Sequence, residues 1–154
     1  MTELQPPTDP VVVDLYKMAV EMADRVSVRR ATSNAFFLTA QTTLVAVFGI
    51  AMPSLEKASL FVVVAIAGAG MILSASWWLQ LRSYRDLNTA KFAVINSMED
   101  RLPIRIFAEE WEILKQDPIR KWRPRYAELG AIERTVPWIF ACIYLLFVVG
   151  RIDG

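Results

Sequence analysis

Arg120, Lys121, Trp122, Arg123 and Arg125 are the densest functional cluster in this 154-residue chain, interrupted only by Pro124. Basic side chains beside an anionic bilayer contribute about 1 kcal/mol each, and cations interleaved with an aromatic also suit the neutralising and stacking of a nucleotide or single-stranded nucleic acid. Three partners stay open for the cluster: a lipid surface, a soluble nucleotide or single-stranded DNA ligand, and the chain's own carboxylates. A second set lies in an apolar stretch. At about 100° per residue, Ser27, Arg30, Asn34 and Gln41 share one narrow stripe, continued by Val45 and Phe48. Polar groups facing lipid are costly, so the stripe must face protein or water. It reads either as interhelical hydrogen bonding between subunits or as a pore lining. In the second case Arg30, Asn34 and Gln41 form a polar mouth, and Val45 with Phe48 a constriction that closes by dewetting. Thr39, Thr42 and Thr43 point elsewhere, their hydroxyls free to return to their own helix backbone.

Catalytic chemistry has no such footing. The chain has no phosphate-cradling glycine loop and no nucleophile elbow. With no His and a single Cys, Cys142, a histidine-bearing metal site, a Cys–His nucleophile and an internal disulfide are excluded. Asp86, Glu99, Asp100, Glu109, Glu110 and Glu112 sit among Arg and Lys on helices whose opposite faces are apolar, and read as solvated faces. We expect no enzyme, no metal and no cofactor.

The elements that carry these residues are set by charge and periodicity. No charged residue occurs from Ala31 to Leu55 or from Ala58 to Leu81. At about 1.5 Å per residue each run is long enough as a helix to cross a hydrocarbon core of about 30 Å. Composition agrees: 55% hydrophobic with 21% charged is half membrane and half cytosol in character. The expected fold is therefore an all-α membrane protein, its first two spans a hairpin over residues 31–81, with a short turn holding Pro53, Glu56 and Lys57.

Residues 1–9 are acidic and proline-containing, without the basic region and apolar core of a signal peptide, and read as disordered. Asp9-Pro10 then starts a helix, with an N-cap acceptor and proline at the first helical position. Val12, Tyr16, Ala19, Ala23 and Val26 make residues 10–30 an amphipathic cytoplasmic helix, continuous with the first span to about Met52. The second span likewise continues, with Tyr84, Leu87, Lys91, Val94, Met98 and Leu102 marking one helical stripe that Ile95 widens, until Pro103. Residues 82–134 form a cytoplasmic helical region: a helix from Phe107 to Gln116, then one from Arg125 bearing Tyr126, Leu129 and Ile132. Thr135 to Gly150 is uncharged and just short of the lower limit of about 17 residues for a span. Flanked by Arg134 and Arg151, it reads as a short third transmembrane helix over 135–150, before a tail over 151–154. A re-entrant or interfacial helix is the alternative.

Arg25, Arg29 and Arg30 before the first span, and Arg82, Arg85 and Lys91 after the second, place both flanks in the cytoplasm. The N-terminus is then cytoplasmic and the C-terminus periplasmic. Trp77 and Trp78, just before Arg82, read as headgroup-level anchors. Ala65 with Ala69, and Gly70 with Ser74, are small-xxx-small pairs suited to packing in a homo-oligomer.

The run Arg29-Arg30 followed by Asn34-Ala35-Phe36-Phe37-Leu38-Thr39, then Ser76-Trp77-Trp78 leading to Arg82-Ser83-Tyr84-Arg85-Asp86-Leu87-Asn88, with Leu102-Pro103 and Glu110-Trp111, resembles small bacterial anti-phage membrane effectors. The plan is similar to the SLATT-type two-transmembrane effectors and to the channel subunit of the Hailong system. That resemblance implies an oligomeric inner-membrane ion channel controlled by a nucleotide or DNA-oligomer ligand that a partner nucleotidyltransferase makes. The expectation is a homo-oligomeric pore, a tetramer or similar small ring, gated by its cytoplasmic helices. Its rival is a non-conducting anchor or adaptor that recruits a soluble partner through Trp111 and Leu114.

Overall fold

The computed structural model describes residues 9–55, 59–116 and 129–153. Among these the chain is all helical: α1 is Pro10–Leu55, α2 Leu60–Glu99, α3 Ile106–Gln116 and α4 Leu129–Asp153. Three of the four, α1, α2 and α4, are long and apolar enough to cross a membrane. The start of α1 follows from its first two residues. Asp9 Oδ1 accepts the Val11 amide at 2.9 Å, the Asp9 carbonyl accepts the Val12 amide at 3.0 Å, and Pro10 lacks an N–H that would otherwise be orphaned.

Two elements extend beyond the expected bounds. Pro53 was expected in the turn but lies inside α1, which runs on to Leu55. Its missing N–H removes a single bond in the last turn, too little to end a helix held by neighbours. Glu56 and Lys57 lie outside the described residues. On the other side of the chain, the short helix expected to carry Leu129 and Ile132 and the run from Thr135 to Gly150 are one element, α4. Neither Glu133, Arg134 nor Pro137 terminates it, and its apolar portion, Ile132–Ile152, is 21 residues long. That exceeds the minimum for a crossing. Arg125 and Tyr126 lie outside the described residues.

The described residues fall into two compact units: residues 9–29 with 84–116, and residues 30–83 with 129–153. In the first, α1 lays Tyr16, Ala19, Ala23 and Val26 inward, with Ala23 4% exposed, while Ser27 donates to the Ala23 carbonyl of its own helix. The face that α2 buries here lies to the Ile95 side of the expected stripe, with Tyr84, Lys91, Met98 and Leu102 half-buried. Leu87 and Val94 are exposed, whereas Ile95 and Glu99 are buried at 1% and 0%. Phe92 meets Phe107 of α3 edge to face at 5.4 Å.

Asp86, Asp100, Glu109, Glu110 and Glu112 are exposed, as expected of solvated faces, but Glu99 is not. It is the last residue of α2, and its carboxylate caps α3: Oε1 accepts the Phe107 amide at 2.9 Å and Oε2 the Ala108 amide at 3.1 Å. A negative charge there is favoured by the partial positive charge of a helix N-terminus. Tyr16 OH donates to the same Oε1 at 2.9 Å, which ties α1 to the α2–α3 corner. Three donors compensate the burial of the carboxylate.

Candidate functional site

In the unit made of residues 30–83 and 129–153, three apolar helices enclose a set of polar groups that answer one another. Gln41 of α1 is fully buried. Its Nε2 donates to Ser74 Oγ of α2 at 2.6 Å and lies 3.4 Å from the Gly70 carbonyl, and its Oε1 accepts from Tyr144 OH of α4 at 2.7 Å. The directions are forced by valence. Ser74 spends its only proton on the Gly70 carbonyl at 3.0 Å, so towards Gln41 it can only accept. The amide must then turn its NH2 to Ser74 and its carbonyl to Tyr144. One glutamine joins all three spans, and every member of the set has a partner.

Gly70 makes this arrangement possible. A Cβ added there would stand 2.4–2.6 Å from carbons of the Tyr144 ring, closer than atoms can approach. Without a side chain at 70 the ring lies against the α2 backbone, with its hydroxyl at the level of Gln41. The small pair Gly70 and Ser74, expected to serve contacts between subunits, serves contacts within one; Ala65 and Ala69 remain exposed.

Towards the charged ends of these helices the same logic repeats. Trp77 Nε1 donates to Asn34 Oδ1 at 2.9 Å, and Arg30 pairs with Glu133 of α4. Trp77 is 1% exposed, with Phe37 stacked on it at 5.9 Å and Phe140 tilted at 6.1 Å. It is therefore a core residue and not the headgroup anchor its sequence position predicts, because Asn34 needed a donor that a buried indole supplies. Trp78 does fit a boundary role: it meets Trp138 edge to face at 6.3 Å, and Arg82 lies over its ring at 5.8 Å. Deeper in, Phe48, 2% exposed, packs on Val63 and on Phe147, the two rings 4.5 Å apart.

The stripe singled out from sequence thus meets α2 and α4 of its own protomer. Asn34, Gln41, Val45 and Phe48 are brought together along one side of α1, and Arg30 ends the row. The basic cluster Arg120, Lys121, Trp122, Arg123 and Arg125 lies outside the described residues. Sequence reasoning missed Tyr144, Ser74 and Glu133 as the partners. A signal existed for two of them: a phenol and a carboxylate in or beside an apolar run call for a partner as strongly as an amide does.

Among the described residues Gln41 Oε1 accepts from the Tyr144 hydroxyl alone, so Tyr144→Phe leaves a buried carbonyl without that donor. We expect a loss of about 1 kcal/mol in reversible unfolding in mixed micelles, the usual size for such bonds in membrane proteins. No change would mean that the bond contributes nothing.

Three apolar spans joined by a closed amide and hydroxyl network define an α-helical, multi-span membrane protein. The chain belongs to the octameric membrane protein family (8xMP), whose sequence model matches residues 13–152. Comparison with curated proteins and with solved structures gave no match.

Proposed function

We propose that the protein is a homo-octameric ion channel of the bacterial inner membrane, with its N-terminus in the cytoplasm and its C-terminus in the periplasm. The observation that carries this reading is that the polar network around Gln41 closes within the three-span unit. With Gln41, Ser74, Tyr144, Asn34 and Trp77 satisfied inside one protomer, each copy can enter a ring as a finished block. The name of its family supplies the number eight, in place of the four expected from sequence. Eight helices spaced about 9–10 Å apart around an axis leave an opening on the order of 15 Å across, which must hold water or lipid. In this reading Gln41 and Phe48 govern conduction by fixing the helices that surround the opening. The units built from residues 9–29 and 84–116 form the cytoplasmic gate, and the protein acts as a channel and not as an enzyme.

The resemblance to anti-phage effectors supports a defence role, with the cluster from Arg120 to Arg125 binding a nucleotide or single-stranded DNA ligand made by a nucleotidyltransferase partner. A second reading, the non-conducting adaptor, draws on Ile104, Ile106 and Ile113, which are 60%, 56% and 68% exposed and offer an apolar docking surface. Ion flux from liposomes separates the two. We expect flux above that of empty liposomes, altered in Gln41→Leu and Phe48→Ala. A ligand response would be lost when Arg120, Lys121, Arg123 and Arg125 are replaced by Glu. Silence with and without added nucleotide and DNA-oligomer pools would reject the channel in favour of the adaptor.

A further inference from the structure

The face of α1 turned away from Gln41 and Phe48 has its own pattern. Thr32, Ala35, Thr39, Thr42, Ala46 and Gly49 follow one another at alternating spacings of three and four, and all six are exposed in the protomer. The Thr42 hydroxyl is returned to the Leu38 and Thr39 carbonyls of its own helix, so the row is smooth as well as small. At Gly49 an added Cβ would meet nothing within 4 Å. The row is a shallow groove along the length of a span. Lipid gains little from such a groove, whereas a second helix gains close backbone approach.

The exposed face of α4 is its complement. Two contacts fix how α1 and α4 are levelled in the protomer, Arg30 with Glu133 and Gln41 with Tyr144, and both join residues 103 apart in sequence. The helices therefore run parallel with that offset between Arg30 and Gln41, and Phe48 meets Phe147 one turn short of it. Applied to the outer faces, that offset sets Ala35 level with Trp138, Thr42 with Leu145, Ala46 with Val149 and Gly49 with Ile152. These four α4 side chains are 60%, 54%, 44% and 64% exposed. At four of the six levels of the row a small residue on α1 stands opposite a large one on α4, while Thr32 is level with Thr135 and Thr39 with Cys142. The shared level follows from the register, but the pairing of sizes does not.

We propose that the α1 groove is the seat for the outer α4 ridge of the neighbouring copy, so that the subunit seam is α1 against α4 of the next protomer. The inference rests on the homo-oligomeric reading above. In a closed ring each copy presents two different surfaces, one to either neighbour, and rotation about an axis normal to the membrane preserves depth. Groove and ridge are two such surfaces on one chain, already at matching depth. Alternating small and large side chains at spacings of three and four is the packing mode of helices crossing at about 20°.

The native thiol of Cys142, exposed on α4, stands level with Thr39 and provides the test. In membranes treated with copper phenanthroline, Thr39→Cys should give a ladder of covalent multimers reaching beyond the dimer. The ladder should vanish when Cys142→Ser is added. Because a disulfide requires Cα atoms within about 7 Å, the ladder reports direct helix contact. Absence of multimers overturns the seam, as do dimers that survive Cys142→Ser, since those mean that the groove pairs with itself. Gly49→Leu is the independent arm. The protomer has room for it, so we expect wild-type thermal stability in detergent with at least a tenfold loss of assembled protein by native mass spectrometry. Full assembly of that variant overturns the proposal. Wild-type protein that is monomeric in the same measurement would instead remove the oligomer reading on which the seam depends.

Discussion

Gly70→Ala is expected to destabilise the unit of residues 30–83 and 129–153 by about 2–4 kcal/mol, although the same change in an open helix position gains up to about 1 kcal/mol. The new Cβ would stand 2.4–2.6 Å from the Tyr144 ring, so the ring must move off the α2 backbone. Moving it costs packing in the cluster of Ala67, Trp77, Leu81 and Phe140, and it draws the hydroxyl away from Gln41. The second loss leaves a buried carbonyl unanswered. Gly68 is the internal control. Nothing lies within 4 Å of a Cβ added there, and Gly68→Ala should be neutral or slightly stabilising. Unfolding in mixed micelles measures both. Combining Gly70→Ala with Tyr144→Leu should cost less than the sum of the single changes, since the collision is then relieved. Equal effects at positions 68 and 70 would show that the ring does not rest on Gly70.

Glu99→Leu should be the most damaging change in the unit of residues 9–29 and 84–116, at about 3–5 kcal/mol. Leucine fills the space but leaves the Phe107 and Ala108 amides and the Tyr16 hydroxyl without their acceptor, each costing about 1–3 kcal/mol where water cannot replace it. Helix α3 has only 11 residues, too few to persist in water without its cap and its packing. We therefore expect rapid amide hydrogen exchange at Phe107 and Ala108 and protease cleavage within α3. Glu99→Gln keeps one carbonyl but turns an NH2 towards an amide donor, so its loss should be intermediate. Asp100→Ala, next in sequence, removes an exposed pairing with Arg105 at 3.5 Å and should shift stability by no more than about 0.5 kcal/mol. Exchange in Glu99→Leu as slow as in the wild type would show that the carboxylate does not hold α3.

The two expected results share a cause. In both places a helix is fixed by a polar side chain that is buried and fully answered, which is costly to disturb because no water is at hand. In the spans the group is an amide and in the other unit a carboxylate, yet each joins its own helix to two others.

Much of this was already written in the order of residues. Charge-free runs are a local property, so Ala31 to Leu55 and Ala58 to Leu81 identify two spans without knowledge of any neighbour. Asp9-Pro10 sets a helix start for the same reason: cap and first turn lie within four residues. The stripe of Asn34, Gln41, Val45 and Phe48 was also legible, because helical periodicity shows which side chains share a face. What that face meets was not, since a helix shows its own stripe and not its partner. Gln41 bonds to residues 33 and 103 positions away, and only the folded chain decides that Ser74 and Tyr144 arrive there. Trp77 illustrates the limit. Beside Arg82 it has the sequence context of an interface anchor, and the position of Asn34 in space turns it into core. Glu99 does the same for charge: among Arg and Lys it reads as solvated, and the return of the chain through Pro103 into α3 brings two amides to meet it. Sequence determined the helices and their faces because those depend on neighbours within a few turns. Tertiary structure decided the pairings because a buried polar group is stable only where its partner stands, and that is settled by residues distant along the chain.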